Sequence, residues 1–161
     1  GEETWSLVMT MLGSDPAEGK RIASRDLVVL ASDLAPHAVA AASRATYSAT
    51  ELKAVPEPLR RVWTRSAGSD LQMVEAAAAI VRFRQLNLLA AWPFKGQFDV
   101  IFCRNVMIYF DNPTKQALVE RFADVLAPGG HLYIGHSERV AGPALDQLEL
   151  IGPTIYRKVA A

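Results

Sequence analysis

The chain has 161 residues, half of them apolar and about a fifth charged, which suits one soluble domain with a buried core. Its 17 basic and 17 acidic side chains cancel, which argues against a nucleic-acid module or a polybasic membrane surface. No apolar run nears the ~20 residues that span a bilayer, and a single cysteine, Cys103, excludes an internal disulfide and suits a reducing cytoplasm.

In chain order, residues 3–13 are predicted as a helix, because Trp5, Val8, Met9 and Leu12 recur at helical spacing and Gly13 can stop it. The opening GEE has no basic segment or apolar core before it, so no signal peptide is expected, and the chain reads as starting inside a motif. Residues 14–25, polar with Pro16 and Gly19, read as a surface loop. An apolar run at 27–31 ends in Ser32 and Asp33 and precedes Pro36, a first-turn residue for a short helix to Arg44. That is a strand, a carboxylate at its tip, then a helix.

Residues 46–81 are less regular, with short helical turns near 50–54 and 58–63. Segments 63–65, 71–75 and 80–86 are predicted as a small antiparallel meander, turning at Gly68–Asp70. The stretch FDVIFCRNVMIYFD at 98–111 opens with an almost continuous apolar run, expected as a strand buried on both faces. Asn112 and Pro113 then start a helix to Leu126, with Leu118, Phe122, Val125 and Leu126 on one face. Pro128, Gly129 and Gly130 end it. A strand at 131–135 follows, with His136, Ser137 and Glu138 at its tip, and a hairpin around Gly152 and Pro153 closes the chain. The architecture expected is a doubly wound α/β sheet, mainly parallel, with an antiparallel strand late in the chain.

Arg104 and Asn105 follow the buried run with no turn residue before them. A guanidinium and an amide there are costly unless something needs them, and in open α/β sheets ligands bind beyond the carboxyl ends of strands. Arg104, Asn105 and Tyr109 therefore read as the floor of an active site. An ion pair of Arg104 with Asp99 or Asp111, or simple exposure at a strand tip, accounts less compactly for all three.

Asp33 sits where an acid can accept two hydrogen bonds from a ribose diol, or can merely cap the turn before Pro36. Asn87, also at a strand end, can pair with an adenine edge; read alone, it is better explained as a turn-capping asparagine. Cys103 reads as a small core hydrophobe, and the histidines show no metal-ligand spacing. No dinucleotide, Walker or nucleophile-elbow motif occurs. A cofactor without a pyrophosphate, such as S-adenosylmethionine, fits better than a nicotinamide or nucleotide triphosphate.

The block FDVIFCRNVMIYFD, followed by LAPGG at 126–130 and GHSE at 135–138, closely resembles the CheR family of chemotaxis receptor methyltransferases. GEETWS at 1–6 is similar to that family's Gly-Glu-Glu-Pro-Tyr-Ser element, and Asp33 and Asn87–Leu88 fall in the family's order. The likeness runs from Gly1 to about Arg157.

The resemblance implies a class I, Rossmann-like domain over 1–161 with an inserted β-subdomain at about 63–86, lacking the family's first strand and its basic N-terminal helical domain. It implies a cytoplasmic enzyme that methylates glutamate side chains on chemoreceptor cytoplasmic domains, using S-adenosylmethionine and leaving S-adenosylhomocysteine. Asp33 would hold the ribose, and Asn87 and Leu88 would flank the adenine. Glu3 and Asn105 would lie by the cofactor's amino-acid end. Arg104 and Tyr109 would face the methyl-transfer centre, with Arg104 also on the cofactor side. The loop 66–70 is short for a receptor tail peptide, so tail docking is not expected. Two other readings stand beside it: a non-catalytic methyltransferase-like binding module, and a methyltransferase with another acceptor.

Overall fold

A computed structural model describes residues 1–159. The chain forms two compact units, Gly1–Asn87 and the part from Leu88 onward, each with its own apolar core.

In the first unit, α1 (Glu2–Leu12) buries Trp5, Val8, Met9 and Leu12, the helical stripe expected from their spacing. Residues 16–23 correct the sequence reading: they form a helix, α2 (Pro16–Ala23), rather than a loop. The Asp15 carboxylate accepts hydrogen bonds from the Ala17 and Glu18 N–H groups, at 2.8 and 3.2 Å, and Pro16 supplies a pre-set first turn. Gly19 is tolerated inside this short helix because a Cβ there would stand 2.2 Å from Trp63 Cζ2.

Then come β1 (Val29–Asp33), α3 (Pro36–Ser43), β2 (Thr46–Ser48), α4 (Glu57–Trp63), β3 (Thr64–Ala67), β4 (Asp70–Met73), α5 (Glu75–Ala78) and β5 (Val81–Gln85). The antiparallel meander exists, with a different membership. Its order is β2-β4-β3, and β3 and β4 turn through Gly68 as expected. β5, predicted as its last strand, instead pairs in parallel with β1 over Val29↔Val81 to Asp33↔Gln85. The alternating VRFRQ can pair in either direction; Val81 and Ile80, buried in the core with Trp5 and Met9, draw it against β1.

The second unit holds β6 (Phe98–Cys103), a 3-10 turn at Met107–Tyr109, α6 (Asn112–Val125), β7 (Leu126–Ile134), β8 (Leu148–Gly152) and β9 (Ile155–Lys158). Their order is β6-β7-β9-β8, with β6 and β7 parallel and β9 antiparallel to β7. Parallel pairing and a late antiparallel strand are thus both present. α6 is capped one residue earlier than expected: the Asp111 carboxylate, not Asn112, accepts the Thr114 N–H at 2.9 Å, which holds it below the usual carboxylate range.

Pro128, Gly129 and Gly130 do not separate helix from strand. The helix gives way at Leu126 directly to β7, and these three residues form a bulge, the register stepping from Phe98↔Leu126 to Val100↔His131. β6 also departs from its expected burial on both faces. Cys103 is buried, while Val100 and Phe102 are 46% and 40% exposed, Phe102 stacking on Tyr133 at 4.4 Å. α6 contributes Leu118, Val119, Phe122 and Ala123 to the core that takes in Cys103, which is how one face of the strand is covered.

Candidate active site

The polar residues singled out in the sequence fall at strand ends and at the ends of short helical segments, and they are described within each unit. In the first, α1 begins at a point with no room for a side chain: a Cβ on Gly1 would lie 2.5 Å from Tyr47 Oη and 2.6 Å from Ala42 Cβ. Only glycine lets the chain approach α3 so closely. That approach shapes a concavity of about 200 Å³ lined by Glu3, Thr4, Ala31, Asp33, Val39 and Phe83, among others.

Glu3 and Asp33 are thereby brought to one hollow. One Asp33 oxygen, Oδ1, accepts the Ala35 N–H at 2.8 Å. The turn-capping and ligand readings of Asp33 are therefore compatible, because a carboxylate offers about four acceptor positions and this bond uses one. The acceptors suit S-adenosylmethionine: the carboxyl groups of Glu3 and Asp33 can accept from hydroxyls and an ammonium. At about 200 Å³ against the ~300–1000 Å³ usual for a whole ligand, the hollow matches part of such a molecule.

In the second unit β6 delivers Arg104 and Asn105, both exposed, immediately after buried Cys103. Asn105 has φ 59°. This left-handed conformation is uncommon for a residue with a side chain, asparagine being among the most tolerant, and such backbone clusters at functional tips. Tyr109 lies four residues on, at the end of the 3-10 turn and 80% exposed. Asn87 ends the first unit and Leu88 begins the second.

Two supports went unread in the sequence. Glu138, in the GHSE stretch, is 5% exposed; its Oε2 accepts the Gly135 N–H at 2.5 Å. A Cβ on Gly135 would fall 2.7 Å from that oxygen and 3.1 Å from the Asn105 nitrogen, so β6 and β7 meet tightly at their tips. Glu138 Oε1 is buried without a hydrogen-bond partner among the described residues. The second support is Arg121 on α6, whose guanidinium donates to the Leu88 and Ala90 carbonyls. It carried no motif, only a place on the polar side of an amphipathic helix.

Cys103 is excluded as a nucleophile. Burial, with the Glu138 charge adding to it, pushes its thiol up to about 12. At pH 8 an alkylating reagent is expected to label Cys103 only in denaturant, as read by mass spectrometry; rapid labelling of the folded protein would contradict the burial. The raised pKa also gives a stability slope. Between the unfolded thiol's value near 9 and about 12, the folded state keeps a proton that the unfolded state has lost, so stability falls as pH rises. Cys103→Ala removes that part of the slope. Urea midpoints of the two proteins compared from pH 8 to 10.5 measure it.

Acids at one hollow of the first unit, and an Arg–Asn tip on a parallel strand of the second, are features of an α/β ligand-binding protein. Comparison with known proteins makes it specific. The family model described as CheR methyltransferase, SAM binding domain, matches residues 1–156. A probable chemotaxis protein methyltransferase from Rhizobium etli is 42% identical over 98% of this chain and 59% of its own length. Chemotaxis protein methyltransferases from Klebsiella aerogenes and Pseudomonas aeruginosa are 40% and 38% identical, over 97% of this chain and 53% and 55% of theirs.

The N-methyltransferase NodS from Bradyrhizobium japonicum is similar in structure, with a TM-score of 0.45 and 16% identity over 90% of this chain and 81% of NodS. The chain belongs to the CheR methyltransferase family, as its SAM-binding domain. It spans between half and three-fifths of the length of these curated relatives.

Proposed function

We propose that this domain carries the methyl-transfer site of a chemoreceptor methyltransferase, forming methyl esters on glutamate side chains of receptor cytoplasmic domains. The observation that carries the reading is the β6 tip: Arg104 beside Asn105 held left-handed, inside the CRNVMIY block, in a chain of this family.

The chemistry asks little of acid–base groups. A glutamate carboxylate is already ionised at neutral pH, so no general base is required. S-Adenosylmethionine supplies an electrophilic methyl; a carboxylate oxygen forms the new C–O bond as the C–S bond breaks, and S-adenosylhomocysteine leaves. The protein's task is positioning: the acceptor oxygen must sit in line at about 3–3.5 Å with water excluded. Arg104 can hold the acceptor carboxylate through a fork of two parallel hydrogen bonds. Tyr109 is assigned to the methyl-transfer centre, where its hydroxyl can donate a hydrogen bond. Asp33 is assigned to the ribose hydroxyls, Asn87 and Leu88 to the adenine, and Glu3 and Asn105 to the amino-acid end.

The test uses labelled S-adenosylmethionine with receptor cytoplasmic fragments and the protein at its full natural length. Base-labile label on receptor glutamates is the expected result. Cofactor binding without transfer to any receptor would leave a binding module, and label on a small molecule alone would leave another acceptor; either outcome defeats the proposal.

A further inference from the structure

Arg121 projects from α6 into the loop that follows Leu88. Its Nη1 donates to the Leu88 carbonyl at 2.7 Å and its Nη2 to the Ala90 carbonyl at 2.6 Å. The Trp92 indole Nε1 donates to the same Leu88 carbonyl at 3.1 Å. The guanidinium also lies over the Trp92 ring, 3.9 Å from its centroid, and that ring stacks on Phe122 one residue further along α6.

Five contacts thus converge on three loop residues. A planar guanidinium has its donors at fixed angles, so bridging two carbonyls two residues apart fixes their spacing and direction together. The Leu88 carbonyl has two lone pairs, and two donors already engage them. What Leu88 can then offer a ligand is its N–H and its side chain.

We infer that Arg121 and Trp92 are positioning residues for the adenine end of the cofactor site, acting through the Leu88–Ala90 backbone that they hold. This rests on the reading of Leu88 as an adenine neighbour. Neither residue touches the reacting atoms.

The experiment compares wild type with Arg121→Met, which keeps the aliphatic stem but loses every donor, and Arg121→Lys, which keeps the charge without the fork. Trp92→Phe retains a stacking ring and loses one hydrogen bond. S-Adenosylhomocysteine binding is measured by calorimetry, steady-state kinetics are taken with both substrates, and hydrogen exchange is followed at the amides of residues 88–92. Arg121→Met should weaken S-adenosylhomocysteine about 10-fold and raise the KM for the cofactor similarly. The receptor KM should hold, kcat at saturation should change little, and the loop amides should exchange faster. Arg121→Lys should recover part of the loss, and Trp92→Phe should show a smaller one.

Faster exchange with unchanged binding would make the contact structural only and overturn the inference. A fall in kcat with both KM values unmoved would overturn it too. Wild-type protein that binds no S-adenosylhomocysteine would defeat the cofactor reading itself, and the inference with it. That failure is distinct from one in which only the variants match wild type.

Discussion

Arg104→Ala is expected to lower kcat/KM for receptor methylation by about 10³-fold, roughly 4 kcal/mol, while leaving folding stability within ~0.5 kcal/mol of wild type. The stability half follows from position: Arg104 is exposed at the end of β6, after the buried Cys103, and the apolar core of its unit forms without it. The activity half follows from the chemistry proposed here. When no base is needed, orientation of the acceptor is most of what the protein contributes, and losing a bidentate anchor removes it.

Arg104→Lys separates charge from geometry. An ammonium restores attraction to the carboxylate but not the planar fork, so it should recover only part of the loss. The measurement is a kcat/KM comparison beside a urea titration. Activity in Arg104→Ala within a few-fold of wild type would remove Arg104 from the mechanism. A matching collapse in urea midpoint would instead assign it a structural role.

Legibility in the sequence followed burial and local rules, element by element. The stripe Trp5, Val8, Met9, Leu12 gave α1, because a helix with one buried face must repeat its apolar residues at 3.6. The CRN tip was visible because a guanidinium and an amide directly after an apolar run have few cheap structural explanations. The α2 helix was hidden by composition: proline and glycine suggest a loop, but Pro16 is at its first turn and Gly19 is there for Trp63.

The partner of β5 was hidden for another reason. A strand's alternation says which faces it has, not which neighbour it chooses. Glu138 and Arg121 went unread because their partners are main-chain atoms, Gly135 N–H and the Leu88 and Ala90 carbonyls, which no side-chain pattern reports. Supports of this kind emerge only once the backbone is placed.

Trp63→Ala is expected to be the most damaging single change to stability in the first unit, at roughly 3–5 kcal/mol. Trp63 is 1% exposed, its Nε1 donates to the Gly13 carbonyl at 2.6 Å, and its ring edge lies where any Cβ on Gly19 would go. It therefore joins α4 to the end of α1 and to the middle of α2. Trp63→Phe keeps much of the ring but loses the hydrogen bond, leaving the Gly13 carbonyl short of a donor, for a cost of about 1–3 kcal/mol.

The contact with Gly19 gives a sharper test through a double-mutant cycle. Gly19→Ala alone should cost about 1–3 kcal/mol by overpacking, since its Cβ would meet Trp63 Cζ2 at 2.2 Å and Cη2 at 2.6 Å. In Trp63→Phe those two atoms are gone, and the alanine's cost should fall. It should not vanish, because the Leu12 carbonyl oxygen would still stand 2.7 Å from the new Cβ. Urea unfolding of the four proteins gives the coupling, expected at about 0.5–3 kcal/mol. Additivity within ~0.3 kcal/mol would mean that Gly19 is glycine for some reason other than Trp63, and the packing account of α2 would fall.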